Sequence, residues 1–199
     1  MSNVPDARAR ILDAASRIFA EKSFEGSRIN DIAKTANVPN SLIYYHFKSK
    51  EDILDNLLND LLAEYSQLLQ IAKNDIHSDK PNTIADRLDS HYSEFISKNI
   101  DLIRIIIFES LKKNVEKPHI FKIAEKLVEN DSETIKTSRS YNPNERMMAE
   151  FFTCLAPICL FQCFQKQWCD YFNMDQREYN QLFMTLITET HGAYHKNHD

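Results

Sequence analysis

The chain holds only two glycines, Gly26 and Gly192, in 199 residues. That scarcity removes the raw material for hairpin turns and glycine-rich phosphate loops. With six prolines besides, few breaks are available and the expected fold is all-α. A hydrophobic content of 43% is enough to bury a core without staples.

Apolar spacing divides the chain into nine helices. Ile11, Leu12, Ala15, Ile18 and Phe19 recur at helical intervals and predict a first helix over about 6–22, ending near Ser23-Phe24-Glu25-Gly26. Ser27 is placed to cap a second helix, whose Ile29, Ile32, Ala33 and Ala36 share one face. Asn37 follows as a residue that tolerates the left-handed conformation. Pro39 and Asn40 then open a third helix to about 46, with Ile43 and Phe47 inward. Ser49-x-x-Asp52 reads as a capping box for a long fourth helix to about 73. It runs through Ile53, Leu57, Leu61, Leu62, Tyr65, Leu68 and Leu69. Residues 74–82 read as a loop, and further helices are expected over about 83–98, 101–113, 118–137, 144–171 and 175–195. The division expected is a small head, 1–50, and a larger helical body, 51–199.

The net charge of -5 is unevenly spread. Residues 1–50 hold eight Lys/Arg against five Asp/Glu, a balance of +3, which leaves -8 for the rest. A basic head on an acidic body suits a polyanionic partner at one end. No apolar run approaches the roughly 20 residues that cross a bilayer, and no N-terminal signal pattern is visible, so the expected location is the cytoplasm. Cys154, Cys159, Cys163 and Cys169 are then expected as reduced thiols.

Two helices joined by a short turn, the second with exposed polar tips, form the arrangement that lays a recognition helix in the DNA major groove. Asn40 can bond bidentately to an adenine edge, Ser41 can meet a base or phosphate, and Leu42 can pack on a thymine methyl. Tyr44, Tyr45 and His46 can reach phosphate oxygens, Lys48 and Lys50 can neutralise backbone charge, and Arg28 and Asn30 would sit over the flanking backbone. Taken singly, Tyr44 reads equally well as half-buried core and His46 as structural. Their convergence within eleven residues points to double-stranded DNA.

The stretch Ile11-Leu12-Asp13-Ala14-Ala15, then Phe19, Ile32-Ala33, Ala36-Asn37-Val38 and Tyr44-Tyr45-His46-Phe47-Lys48-Ser49-Lys50-Glu51 resembles the DNA-binding head of the TetR family of bacterial transcriptional regulators. The resemblance covers about the first quarter of the chain. It implies a ligand-responsive homodimer that dimerises through its last two helices and is released as a repressor from a near-palindromic operator. It also implies DNA contacts at Arg28, Asn40, Ser41, Leu42, Tyr44, Tyr45, His46 and Lys50, and a head core of Ile11, Ala15, Phe19, Ile32, Val38, Ile43 and Phe47. Two positions depart from the family pattern: Asn37 replaces the usual glycine of the turn, and Pro39 the usual serine cap. Either Val38 is an uncapped start or Asn40 takes over the cap.

The body carries no motif of comparable specificity. Leu102, Ile103, Ile105, Ile106, Ile107, Phe108 and Leu111 make a helix apolar on nearly every side, expected at the body's centre. Arg104 in that helix either pairs with an acidic side chain or meets an anionic ligand group. Tyr65, Tyr92, Phe95, Phe108, Phe151, Phe152, Cys154 and Trp168 are candidates, with Arg104, to line a site for a small, largely hydrophobic effector; the alternative is that they are simply core. Pro157 is expected to kink its helix or free a carbonyl, which would open space for a ligand; the alternative is a packing accommodation. Tyr179, Leu182, Phe183, Leu186 and Ile187, after an Asp175-x-x-Glu178 cap, form a stripe that pairs either with a partner helix or within the chain. The four cysteines read as inert and buried. His191, His195 and His198 read as a frayed end, with no metal site or cofactor expected.

No nucleophile elbow or clustered catalytic constellation is present, so an enzyme is not expected. The alternative to a regulator is a helical small-molecule carrier or a thiol sensor without specific operator binding.

Overall fold

The structure, a computed structural model, describes residues 6–75, 92–113, 115–135 and 142–198, with side chains at 72–75, 129–135 and 195–198 outside that description. Among the described residues there are helices and connecting turns and no strands. In chain order the helices are α1 (Ala7–Gly26), α2 (Ile29–Ala36), α3 (Asn40–His46), α4 (Lys50–Asp75), α5 (Ser93–Lys98), α6 (Ile100–Ser110) and α7 (His119–Ile135). They are followed by α8 (Pro143–Phe172) and α9 (Gln176–His198). The predicted loop over 76–82 and the start of the helix predicted from 83 lie outside the described residues.

Two compact units divide these elements. One takes the described residues up to Ala63 together with those of 101–119, and the other takes the described residues of 64–100 and from Ile120 onward.

In the first unit Asp6 caps α1 by accepting from the Arg8 amide at 3.2 Å. The regular helix breaks at Ser23, whose φ of 62° and ψ of 165° fall in a region that is almost exclusively glycine's. The Ser23 hydroxyl accepts from the Gly26 amide at 3.3 Å and closes the corner. This is the expected end of the first helix, followed by one extra turn that buries Phe24 edge-on against Phe19. Ser27 does not cap α2. Its hydroxyl donates back to the Phe24 carbonyl at 2.6 Å, and Arg28 holds the cap position without a side-chain bond.

Asn37 ends α2 in the left-handed region, φ 53°, which frees its amide and that of Val38 for the last carbonyls of the helix. Pro39 then occupies the cap of α3 with no side-chain bond, which its fixed φ permits. Asn40 is therefore the first helical residue and does not take over the cap. Ile11, Ala15, Phe19, Ile32, Ile43 and Phe47 are buried as expected, whereas Val38, next to the turn, is only half-buried.

The Ser49 capping box forms with one shift. Ser49 Oγ accepts from the Asp52 amide at 3.1 Å, and the Asp52 carboxylate reaches one residue further back, to the Lys48 amide at 2.7 Å. Asp52 Oδ1 also accepts from Asn56, and Asn56 accepts from Arg8 at 2.7 Å. One carboxylate thus links the exit of α3 to the start of α4 and, through Asn56, to the start of α1.

Helix α6 is not apolar on all sides. Leu102, Ile103, Ile105 and Ile106 are buried, while Arg104 and Phe108 are exposed and Leu111, just beyond, is 78% exposed. Residue types alone suggest a helix apolar nearly all round, but its 3.6-residue period leaves Arg104 and Phe108 on a solvent face. Lys112 joins the end of this helix to α1, bonding Glu109 and, at 2.6 Å, Glu25. The bond from Lys112 lowers the Glu25 carboxyl below its usual range.

In the second unit α8 changes pitch. Glu150–Leu155 is a π-helical segment directly before Ala156 and Pro157, so the break expected at the proline appears as a widened turn. Contrary to the sequence reading, α8 is long and apolar enough by length and composition to cross a bilayer. It nevertheless carries a buried ion pair, Arg146 Nε to Glu150 Oε1 at 2.9 Å, and from Leu160 to Phe172 its exposed apolar residues fall on one helix face. Helix α9 packs on α8 through Phe161, stacked on Tyr179 at 4.5 Å and Phe183 at 3.8 Å. The Tyr179 hydroxyl donates to the Phe161 carbonyl at 2.9 Å, and Asp175 caps α9 through the Arg177 amide.

Candidate nucleic-acid interface

The α2–turn–α3 unit presents one polar edge. The left-handed turn at Asn37 redirects the chain so that α3 buries Ile43 and, at its exit, Phe47, which turns the intervening residues outward. Tyr44 is 60% and Tyr45 81% exposed, large aromatic surfaces that a stable fold gains nothing by leaving wet. Asn40, Ser41 and Lys48 are exposed, and Leu42 and His46 are half-buried. The Tyr45 ring meets the His46 ring edge-on at 5.1 Å. Arg28 and Asn30 are exposed at the start of α2, and Asn30, Lys34, Asn37, Pro39 and Asn40 line an open concavity between the two helices.

Lys50 is placed differently from the rest. Its ammonium donates to the carbonyls of Phe24 at 2.6 Å and Ser27 at 3.2 Å and lies 4.4 Å from the Phe24 ring centre. It satisfies the open end of α1, whereas Lys48 projects from the surface.

Some of the effector candidates pack together within the second unit. Tyr65 packs against Tyr92 at 6.4 Å and Phe95 at 5.8 Å. Burial, aided by Tyr92, Cys154 and Glu150, pushes the Tyr65 phenol well above its usual range. Cys154 therefore belongs to the same neighbourhood. Phe151 meets Phe152 and Phe121 edge-on, but Phe152 is 62% exposed. Arg104 forms a surface ion pair with Asp101 at 3.5 Å, one of the two roles foreseen for it. Phe108 lies on the exposed face of α6.

Trp168 stands on an outward stripe of α8 formed by Leu160, Phe164, Trp168, Tyr171 and Phe172, all substantially exposed. The residues recur at intervals of three and four, a single helix face. The α9 stripe splits in two: Tyr179, Phe183 and Ile187 turn inward to their own chain, and Leu182 and Leu186 are exposed.

Sequence reasoning missed a buried polar cluster in the second unit. Arg146, Glu150 and His191 are each at most 4% exposed. His191 continues the inward face of α9 four residues after Ile187, so it is core and not a frayed end; the side chains of His195 and His198 lie outside the described residues. The signal was present as Arg146-x-x-x-Glu150 in an otherwise apolar helix. Burial pushes the Cys159 thiol up to about 12, with Cys163 adding to it. A thiol held protonated in this way is a poor redox sensor.

The sequence pattern described as bacterial regulatory proteins, tetR family, matches residues 11–57. The chain is 31% identical over 87 residues to the biofilm operon icaADBC HTH-type negative transcriptional regulator IcaR of Staphylococcus aureus (strain Newman), 44% of each chain. It is 36% identical over 61 residues to the fatty acid metabolism regulator protein of Bacillus subtilis (strain 168), 31% of each. These matches thus span less than half the length of the curated relatives. The fold is shared more widely. Transcriptional regulator FadR from Bacillus subtilis in complex with stearoyl-CoA superposes with a TM-score of 0.61 at 21% identity, over 90% of this chain and 95% of that one. A TetR family member from Streptomyces coelicolor A3 gives 0.63 at 17% identity, over 92% and 98%.

Proposed function

We propose, from the premise that this chain belongs to the tetR family of bacterial regulatory proteins, that it is a cytoplasmic, homodimeric, effector-released repressor of transcription and not an enzyme. In this reading residues 1–50 are the DNA-binding head and 51–199 the effector-binding and dimerisation body.

The observation that carries it is the surface of α3. Two exposed tyrosines beside exposed Asn40, Ser41 and Lys48, on a helix whose other face is buried, match the demands of a major-groove contact. Tyr44, Tyr45, His46, Lys48, Arg28 and Asn30 hold phosphates in this account, and Asn40, Ser41 and Leu42 read base edges. Lys50 contributes by fixing the α1 end of the head.

The dimer is supported by the outward stripe on α8 and Leu182 and Leu186 on α9, which two copies would cover by a two-fold. Two heads so related read half-sites about 34 Å apart or a multiple of that. The effector is assigned to the neighbourhood of Tyr65, Tyr92, Phe95 and Cys154, and is largely hydrophobic. The stearoyl-CoA carried by a fold neighbour is a precedent for a long apolar ligand.

The test is the salt dependence of binding to a mixed pool of genomic duplexes. Lys48→Ala and Arg28→Ala should each lower the slope of log affinity against log salt by about one per head. Unchanged slopes in both would remove this surface from the DNA contact.

A further inference from the structure

Glu150 and Cys154 of the π-helical segment and His191 of α9 place one oxygen, one sulfur and one nitrogen atom within 4.8 Å of one another, all buried. We propose that these three side chains form a binding site for a divalent transition-metal ion of the zinc class, with the fourth position left to a small exogenous ligand.

The hydrogen bonds around the histidine carry the argument. The Thr153 hydroxyl donates its single proton to the Ala149 carbonyl at 2.7 Å. Its oxygen is therefore an acceptor toward His191 Nδ1, 2.9 Å away, and Nδ1 carries the hydrogen. In the neutral ring this leaves the Nε2 lone pair directed at the Glu150 carboxylate, whose Oε2 stands 3.7 Å away. A carboxylate and an imidazole nitrogen held face to face are balanced by a positive charge between them, either a proton on Nε2 or a metal ion. The separation is too long for one proton to be shared well. It is close to the about 3.3–3.6 Å that separates donors around a tetrahedral zinc ion, given zinc bonds of 2.0–2.3 Å.

The surroundings resemble the supporting shell such sites need. A ligating histidine normally donates its other N–H to a fixed acceptor, here Thr153. Arg146 pairs with Glu150 at Oε1, and Oε2 faces His191 Nε2 at 3.7 Å. Nitrogen, oxygen and thiolate sulfur together favour a borderline ion over magnesium or calcium. On binding, the Cys154 thiol releases its proton to solvent. Two positive charges on the metal and one on Arg146 against the carboxylate and thiolate then leave one net positive charge, which favours an anionic fourth ligand. The π turn, a feature often found at functional sites, sets Glu150 and Cys154 on the same side. This site is independent of the operator reading and would hold whether or not the head binds DNA.

The test titrates chelator-treated, reduced full-length protein with Co²⁺, which reports thiolate ligation by a charge-transfer absorption. One equivalent per chain should give that absorption, Zn²⁺ should abolish it, and Cys154→Ser should remove it. Thr153→Val, which keeps all three donors, should weaken Co²⁺ affinity by about 10–100-fold with the absorption retained at saturation. Wild-type protein with no thiolate–cobalt absorption overturns the proposal, since the pair is then an imidazolium held by Glu150. An absorption that survives Cys154→Ser overturns it as well, by assigning the metal to another cysteine.

Discussion

Lys50 Nζ lies 2.6 Å from the Phe24 carbonyl and 4.4 Å from the centre of the same residue's ring. A lysine that sequence alone offers to the DNA backbone thus closes the end of α1, while Lys48, two residues earlier, stays in solvent. The two positions predict opposite phenotypes. Lys50→Ala should destabilise the protein by about 1–2 kcal/mol, because two carbonyls lose a charged donor and the ring its cation. Lys48→Ala should stay within about 0.5 kcal/mol of wild type and still weaken DNA binding. Urea denaturation of both variants measures the contrast, and equal stabilities would show that the Lys50 contact contributes nothing.

Ser23 carries the least favourable backbone conformation in the head, φ 62° with ψ 165°. Ser23→Gly should stabilise the protein by about 1 kcal/mol, since strain of about 1–3 kcal/mol is relieved while one exposed hydrogen bond and some chain entropy are lost. A lower denaturation midpoint for the variant would show that the hydroxyl bond to Gly26 outweighs the strain.

The proposed dimer stripe makes a prediction of association. Trp168→Glu puts a charge among Phe164, Tyr171 and Phe172 on the outward face of α8. Sedimentation should show a folded monomer at concentrations where wild type is dimeric, and operator affinity should fall with it. A variant that still sediments as the wild-type dimer would move the interface elsewhere.

Cys159 ties stability to alkaline pH. Burial holds its thiol at about 12 against 9.0 for a free one. Between those values the unfolded chain has lost a proton that the folded chain keeps, so stability falls as pH rises through that window. The slope from this group is about 1.4 kcal/mol per pH unit. Cys159→Ala should flatten the alkaline decline relative to wild type in denaturation series from pH 8 upward, and parallel curves would show that the group does not titrate there.

Much of the head was readable because local signals agreed with one another. Asn37 at the turn, the Ser49–Asp52 box and the apolar spacing of Ile32, Ile43 and Phe47 all find their expected places. Elsewhere the deciding contact lay outside the spacing of the helix concerned. The Lys50 ammonium is captured by Phe24, 26 residues away, and Ser27 turns back to the same carbonyl. Arg104 and Phe108 looked interior because their helix is rich in isoleucine, yet one face of it is exposed. The cluster of Arg146, Glu150 and His191 depends on α9 packing on the π turn of α8, which no spacing within either helix reveals.

Selection of genomic fragments by the purified protein at a fixed near-physiological salt concentration measures whether α3 reads a specific operator. Recovery of a near-palindromic site whose half-sites lie about 34 Å or a multiple of it apart is expected, with Asn40→Ala broadening the preference at one base in each half. Recovery of fragments without sequence preference by effector-free wild-type protein would contradict specific operator reading by α3.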